Sequence, residues 1–218
     1  MENIIDRKIK QFGCLDIKGP KWCGKTYLAS QYANSISYID RNFERYSDMI
    51  SDEIENNEIF IGESPHLIDE WQWLPQIWDK VRFLVDINLN KPGQFILTGS
   101  NDVDWSQIRH GGAGRMCEIK LSTLTNYEII QNESIDFISL MDLFNDIKNF
   151  KFVSTKYTFE WISYLLINGG WPSIYNNSNK LEDLKEVKSI SGDYVKYALD
   201  LRLKHINLNI NKEVFGKH

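Results

Sequence analysis

The sequence predicts an α/β fold, a parallel β-sheet covered by helices on both faces and followed by a helical segment. Three observations carry that reading. The pattern G-x-x-x-x-G-K-[ST] of a phosphate-binding loop stands at Gly19-Pro20-Lys21-Trp22-Cys23-Gly24-Lys25-Thr26, between a short apolar run and a helical one. Strand-like and helix-like runs then alternate through the first half of the chain, the order that gives a parallel sheet with its ligand at the C-terminal ends of the strands. Beyond about Thr123 only helical periodicity is left.

The elements follow in chain order. Residues 12–17 run apolar as a first strand, and behind the loop Leu28 with Tyr32 and Ala29 with Ala33 repeat at helical spacing. Residues 35–40 alternate apolar and polar as a second strand, and 43–54 carry helical spacing. His66-Leu67-Ile68-Asp69-Glu70 is a short apolar run ending in two acids. Ile77, Trp78, Val81, Leu84 and Val85 recur after it at helical intervals. The turn signal Lys91-Pro92-Gly93 introduces a fourth strand in residues 94–100, and 116–121 alternate as a fifth. Four helices are expected in 127–130, 140–147, 159–167 and 181–199, with a turn at Gly169-Gly170-Trp171-Pro172. The chain is therefore divided into a core, residues 1–123, and a helical lid, 124–218, the boundary being soft by several residues.

Composition bounds the function classes. Of 218 residues 42% are apolar and 25% charged, and no stretch approaches a membrane span. The first ten residues mix acids and bases without an apolar core, so no secretory signal is expected and the cytoplasm is the default location. Three scattered cysteines show no C-x-x-C spacing for zinc or redox work. A net charge of -5 leaves no electrostatic footprint for nucleic acid.

The loop chemistry calls for a nucleotide, with ATP as the default, and for Mg²⁺. Glycines let successive N–H groups face the phosphates, Lys25 adds a mobile positive charge, and Thr26 offers a hydroxyl to the metal. Asp69 is the second candidate metal ligand. Glu70, one residue on, is placed to orient and deprotonate the attacking water, although two acids at a strand end can also be simply solvated. Ser100, then Asn101, are candidates for a contact to the γ-phosphate, and a Gly-Ser-Asn turn explains the same residues. Arg115, with Arg109 as competitor, is a candidate to neutralise transition-state charge, in its own chain or from a neighbouring subunit. Pairing of Arg115 with a surface acid is the structural alternative. Cys23 is expected to be the reactive thiol because the helix end and Lys25 favour its thiolate, with burial opposing. The tryptophans read as packing residues, and His110 has no metal-ligand spacing.

Together, residues 19–26, Leu67-Ile68-Asp69-Glu70-Trp71-Gln72, 96–100, Gly112-Ala113-Gly114-Arg115 and Gly169-Gly170-Trp171-Pro172 resemble prokaryotic AAA-type ATPases that carry a C-terminal domain of unknown function. The resemblance implies a three-layer P-loop NTPase fold with sheet order 5-1-4-3-2. It also implies metal, water-activating, sensor and arginine-finger-like roles for Asp69, Glu70, Ser100 and Arg115. Pro172 would lie against the adenine base. Such proteins continue for roughly another domain length of 150–200 residues, so with the chain ending at His218 the effector domain is expected to be absent. The expected function is Mg²⁺-dependent ATP hydrolysis. The alternative is a slowly hydrolysing, nucleotide-gated switch that signals to a protein partner or effector domain. A homo-oligomer is among the assemblies that would use Arg115. A small-molecule kinase is disfavoured, because no second substrate motif accompanies Glu70.

Overall fold

Short runs of Leu, Ile and Phe bounded by turns become strands here because both faces of the sheet are covered. Strands Cys14–Lys18 (β1), His66–Asp69 (β3) and Phe95–Gly99 (β4) are buried at every residue. Strands Ser35–Tyr38 (β2) and Met116–Lys120 (β5), at the two edges, are only partly covered. All pairs are parallel, in the order β2-β3-β4-β1-β5, which is the expected order read from the other edge. The structure is a computed structural model that describes residues 2–39, 58–100, 106, 108–109, 111–130, 140–145, 159–173, 192–193 and 196. The chain divides into two units, Met1–Ser122 and Thr123–His218.

In the first unit, helices Glu2–Lys8 (α1) and Lys25–Ser30 (α2) place Ile5 and Ala29 against Leu15, Ile17, Leu67, Ile96 and Ile119 on one face of the sheet. On the other face, Gln76–Ile87 (α3) packs Ile77, Trp78, Val81 and Val85 over Cys14, Ile68, Phe95 and Leu97. Each fully buried aliphatic of this kind contributes about 1.5–3 kcal/mol. The 3₁₀ turn Trp71–Trp73 closes that second core, and the rings of Trp71 and Trp78 lie 5.2 Å apart. The sequence reading gave no helix to the N-terminal segment. Its charges are mixed, but Ile5 and Ile9 stand one turn apart, and both pack into the first core.

The second unit contains helices Asn126–Ile130 (α4), Leu140–Asn145 (α5) and Phe159–Asn168 (α6). Thr125 and Glu128 form a reciprocal cap at the start of α4: Thr125 N donates to Glu128 Oε2 at 2.9 Å and Glu128 N to Thr125 Oγ1 at 3.3 Å. Gly169, with φ 63°, ends α6, and Leu124 N donates to Gly170 O at 2.7 Å. A Cβ on Gly170 would sit 2.0 Å from Leu124 O, which accounts for glycine in the Gly169-Gly170-Trp171-Pro172 turn. Helices expected in 43–54 and 181–199 lie outside the fully described residues. No helix among the described residues is long and apolar enough to cross a membrane.

Candidate phosphate-loop site

Parallel pairing brings the C-terminal strand ends to one edge. Lys18 stands opposite Gly99 and Lys120, and Asp69 stands opposite Tyr38 and Thr98. The loop leaves β1 on that edge. Its backbone is left-handed at Trp22 (φ 62°) and at Gly24 (φ 97°), which turns the chain into α2 at Lys25. Gly19 passes so close to the end of β5 that a Cβ there would lie 2.2 Å from Leu121 O, so no side chain fits. Lys25 is buried, and its Nζ donates to Gly19 O at 3.1 Å and Pro20 O at 2.9 Å, holding the ammonium against the loop it serves.

Thr26 and Asp69, read from separate motifs, meet. Thr26 Oγ1 donates to Asp69 Oδ1 at 3.0 Å and lies 3.1 Å from Oδ2. Thr98 Oγ1 donates to Asp69 Oδ1 from β4. The sequence did not single out Thr98. Its signal was the register that sets it beside Asp69, which becomes visible only once β3 and β4 are paired. Among the described residues no three metal-ligating side chains cluster. A hydroxyl and a carboxylate stand side by side here, hard oxygen donors of the kind that hard divalent cations take. Ser100 is buried immediately after β4 on the same edge, and Asn101 lies outside the described residues.

Glu70 has φ 60° and ψ 34°, a left-handed conformation that costs a non-glycine residue about 1–3 kcal/mol and persists only where neighbours enforce it. The enforcement is visible. Trp71 is completely buried and its indole Nε1 donates to Asp16 Oδ1 at 3.0 Å, while Trp73 N donates to Glu70 O at 3.2 Å. The Gln72 amide donates to Glu70 Oε2. Asp16 is itself wholly buried on β1, with Oδ2 paired to Lys18 Nζ at 3.2 Å, and Lys18 reaches Glu118 Oε2 at 2.8 Å. Burial pushes the Asp16 carboxyl up to about 6, against the opposing pull of Lys18 and the Trp71 hydrogen bond. The Lys18 hydrogen bond holds the more exposed Glu118 below its usual value. This buried charge cluster lies beneath the site and was not anticipated from sequence.

Two expectations change. Cys23 is buried, its Sγ 3.9 Å from Leu121 O, and desolvation raises its pKa despite the lowering effect of Lys25. The expected reactive thiol is therefore a packing residue, and the half-buried Cys117 is the more accessible one. Arg115 precedes β5, where its carbonyl accepts from Cys14 N at 3.1 Å, so it stands at the edge opposite the loop. The length of β1, roughly 13 Å at strand rise, separates the two. Its Nε pairs with Asp86 Oδ1 at 2.7 Å, the surface-acid alternative, and this placement does not fit a role at its own chain's loop. Arg109 is exposed, with its backbone N donating to Asp79 Oδ2 at 3.1 Å. Pro172 belongs to the second unit, and His110 lies outside the described residues.

A family described as AAA domain matches residues 11–130, a stretch holding the loop, Asp69, Glu70, Ser100 and Arg115. No curated protein matches the chain significantly. Among solved structures, a replication initiator DnaA bound to AMPPCP and single-stranded DNA is 15% identical with a TM-score of 0.49, over 95% of this chain and 70% of that one. A DNA replication initiation factor is 17% identical with a TM-score of 0.46, over 89% of this chain and 62% of that one. AMPPCP-bound DnaA from Aquifex aeolicus is 17% identical with a TM-score of 0.45, over 93% and 65%. The chain thus spans less than two thirds of the length of the last two.

Proposed function

The chain belongs to the AAA domain family, a family of nucleotide-binding P-loop proteins, and from that premise we propose that it binds ATP with Mg²⁺ and hydrolyses it to ADP and phosphate. The observation that carries the reading is the contact of Thr26 with Asp69 at 3.0 and 3.1 Å beside the buried Lys25. Two oxygen-bearing side chains, Thr26 and Asp69, thus stand together as candidates for one phosphate-bound cation, with the Lys25 ammonium as the candidate for the phosphates themselves. In this reading Lys25 and the backbone N–H groups of residues 19–26 bind the phosphates, and Thr26 and Asp69 hold the metal. Mg²⁺, when bound, supplies charge that offsets the phosphate oxygens. Glu70 takes a proton from the attacking water, and Ser100, buried at the end of the neighbouring strand, senses the γ-phosphate. Thr98 fixes the Asp69 carboxylate from β4.

Arg115 fits this scheme as a residue acting on a neighbouring subunit's nucleotide, since its own loop lies at the far edge of the sheet. The assignment of Pro172 to the adenine base rests on the resemblance, and that of residues 124–218 to a lid rests on their helical periodicity. Calorimetric titration with ATP, with and without Mg²⁺, together with phosphate release, tests the whole. Mg²⁺-dependent binding with turnover supports an ATPase. Tight binding with negligible turnover makes the protein the nucleotide-gated switch, and no binding removes both readings.

A further inference from the structure

We propose that Gln72 positions Glu70 for hydrolysis and that Gly99 is glycine to make room for it, an inference that rests on the ATPase reading above. Gln72 sits in the 3₁₀ turn Trp71–Trp73, and its Nε2 donates to Glu70 Oε2 across the left-handed turn. Its other amide atom, Oε1, is buried with no hydrogen-bond partner among the described residues. A buried acceptor left unpaired is unfavourable, so the side chain is poorly placed if packing were its only task. What its position does achieve is the grip on Glu70. Gln72 is accommodated by the last residue of β4: a Cβ on Gly99 would lie 2.6 Å from Gln72 Oε1 and 3.1 Å from Trp71 Nε1. Gly99 is not in a left-handed conformation, so its lack of a side chain matters here for space alone.

The chemistry is directional. An amide N–H held by one carboxylate oxygen fixes the plane of the carboxylate and leaves the other oxygen, Oε1, to accept the proton of the attacking water. A base must lie within hydrogen-bond reach of that proton, and a misplacement near 1 Å costs about a hundredfold in rate. Gln72 touches no reacting atom and acts through Glu70.

Two variants approach the contact from opposite sides. Gln72→Met keeps length and packing but lacks the donor, whereas Gly99→Ala keeps the amide and displaces it. Both should lower kcat between about tenfold and a hundredfold while ATP affinity and KM stay within about twofold. In a Glu70→Gln background, Gln72→Met should have no further effect on kcat, because the two residues act as one unit. A structural role would instead lower melting temperature, affinity and kcat together, and would add to Glu70→Gln. That pattern overturns the proposal, as does an unchanged or raised kcat in a folded Gln72→Met protein. If the wild type hydrolyses ATP and Glu70→Gln is slow while Gln72→Met is not, this inference alone fails. If the wild type binds ATP without hydrolysing it, the ATPase reading fails and takes this inference with it.

Discussion

Replacing Asp16 with asparagine tests the buried charge cluster beneath the site. Burial raises this carboxyl from 3.8 to about 6, so the native state holds its proton more tightly than the unfolded chain does. The stability that Asp16 contributes is therefore complete below about pH 4 and is lost as pH rises through about 6. A shift near two units corresponds to about 3 kcal/mol at 1.36 kcal/mol per unit. Asp16→Asn keeps an oxygen to accept from the Trp71 indole, and Lys18 keeps Glu118 at 2.8 Å, so the packing of the cluster is largely preserved. Urea unfolding of both proteins, followed by tryptophan fluorescence at several pH values from 4 to 7, isolates the effect as a difference. Groups remote from the Asp16–Lys18–Glu118 cluster, including His66, whose pKa burial lowers, titrate alike in both and cancel. The wild type should gain about 2.4 kcal/mol relative to Asp16→Asn on going from pH 7 to pH 4, most of the full effect. A difference that stays constant to within about 0.5 kcal/mol would mean that Asp16 is hydrated and does not anchor Trp71 from a dry interior.

Lys25→Ala should weaken ATP binding by roughly 10- to 150-fold, the equivalent of about 1.5–3 kcal/mol for one contact to a charged group, as measured by calorimetry. Unchanged affinity in a folded variant would remove the phosphate-loop assignment. Glu70→Gly should relieve the left-handed backbone, leaving thermal stability equal or up to about 1 kcal/mol higher, while hydrolysis is lost. A clear drop in melting temperature would show that Glu70 is held there for packing. Arg115→Ala mixed with Lys25→Ala should regain activity that neither has alone, because mixed assemblies pair an intact loop with an intact arginine. A fully active monomer by light scattering would refute action between subunits.

The frame of this fold is legible in the sequence because it depends on local pattern. Apolar runs of strand length, the turn at Lys91-Pro92-Gly93 and the spacing of the loop all survive as β1, β4 and the turn into α2. What escaped depends on pairing and burial. Thr98 matters because of its register with Asp69, and Asp16 and Lys18 matter because β1 is buried on both faces. Gln72 reads as an ordinary polar residue until Glu70 is seen to turn left-handed. For Cys23 the two opposing effects, nearby charge and burial, are both legible, but that desolvation is the larger one is not, because no spacing reveals it. Arg115 is legible as an arginine before a strand, but the edge of the sheet at which it stands follows only from the parallel pairing of β1 with β5.

Phosphate release from ATP·Mg²⁺ by the wild type and by Glu70→Gln, measured alongside the affinity of each for ATP, tests the central claim most directly. The two proteins should bind ATP equally, and Glu70→Gln should release phosphate about a hundredfold or more slowly, the scale of a lost general base. Equal rates, or no binding of ATP by the wild type, would contradict the assignment of this site to ATP hydrolysis.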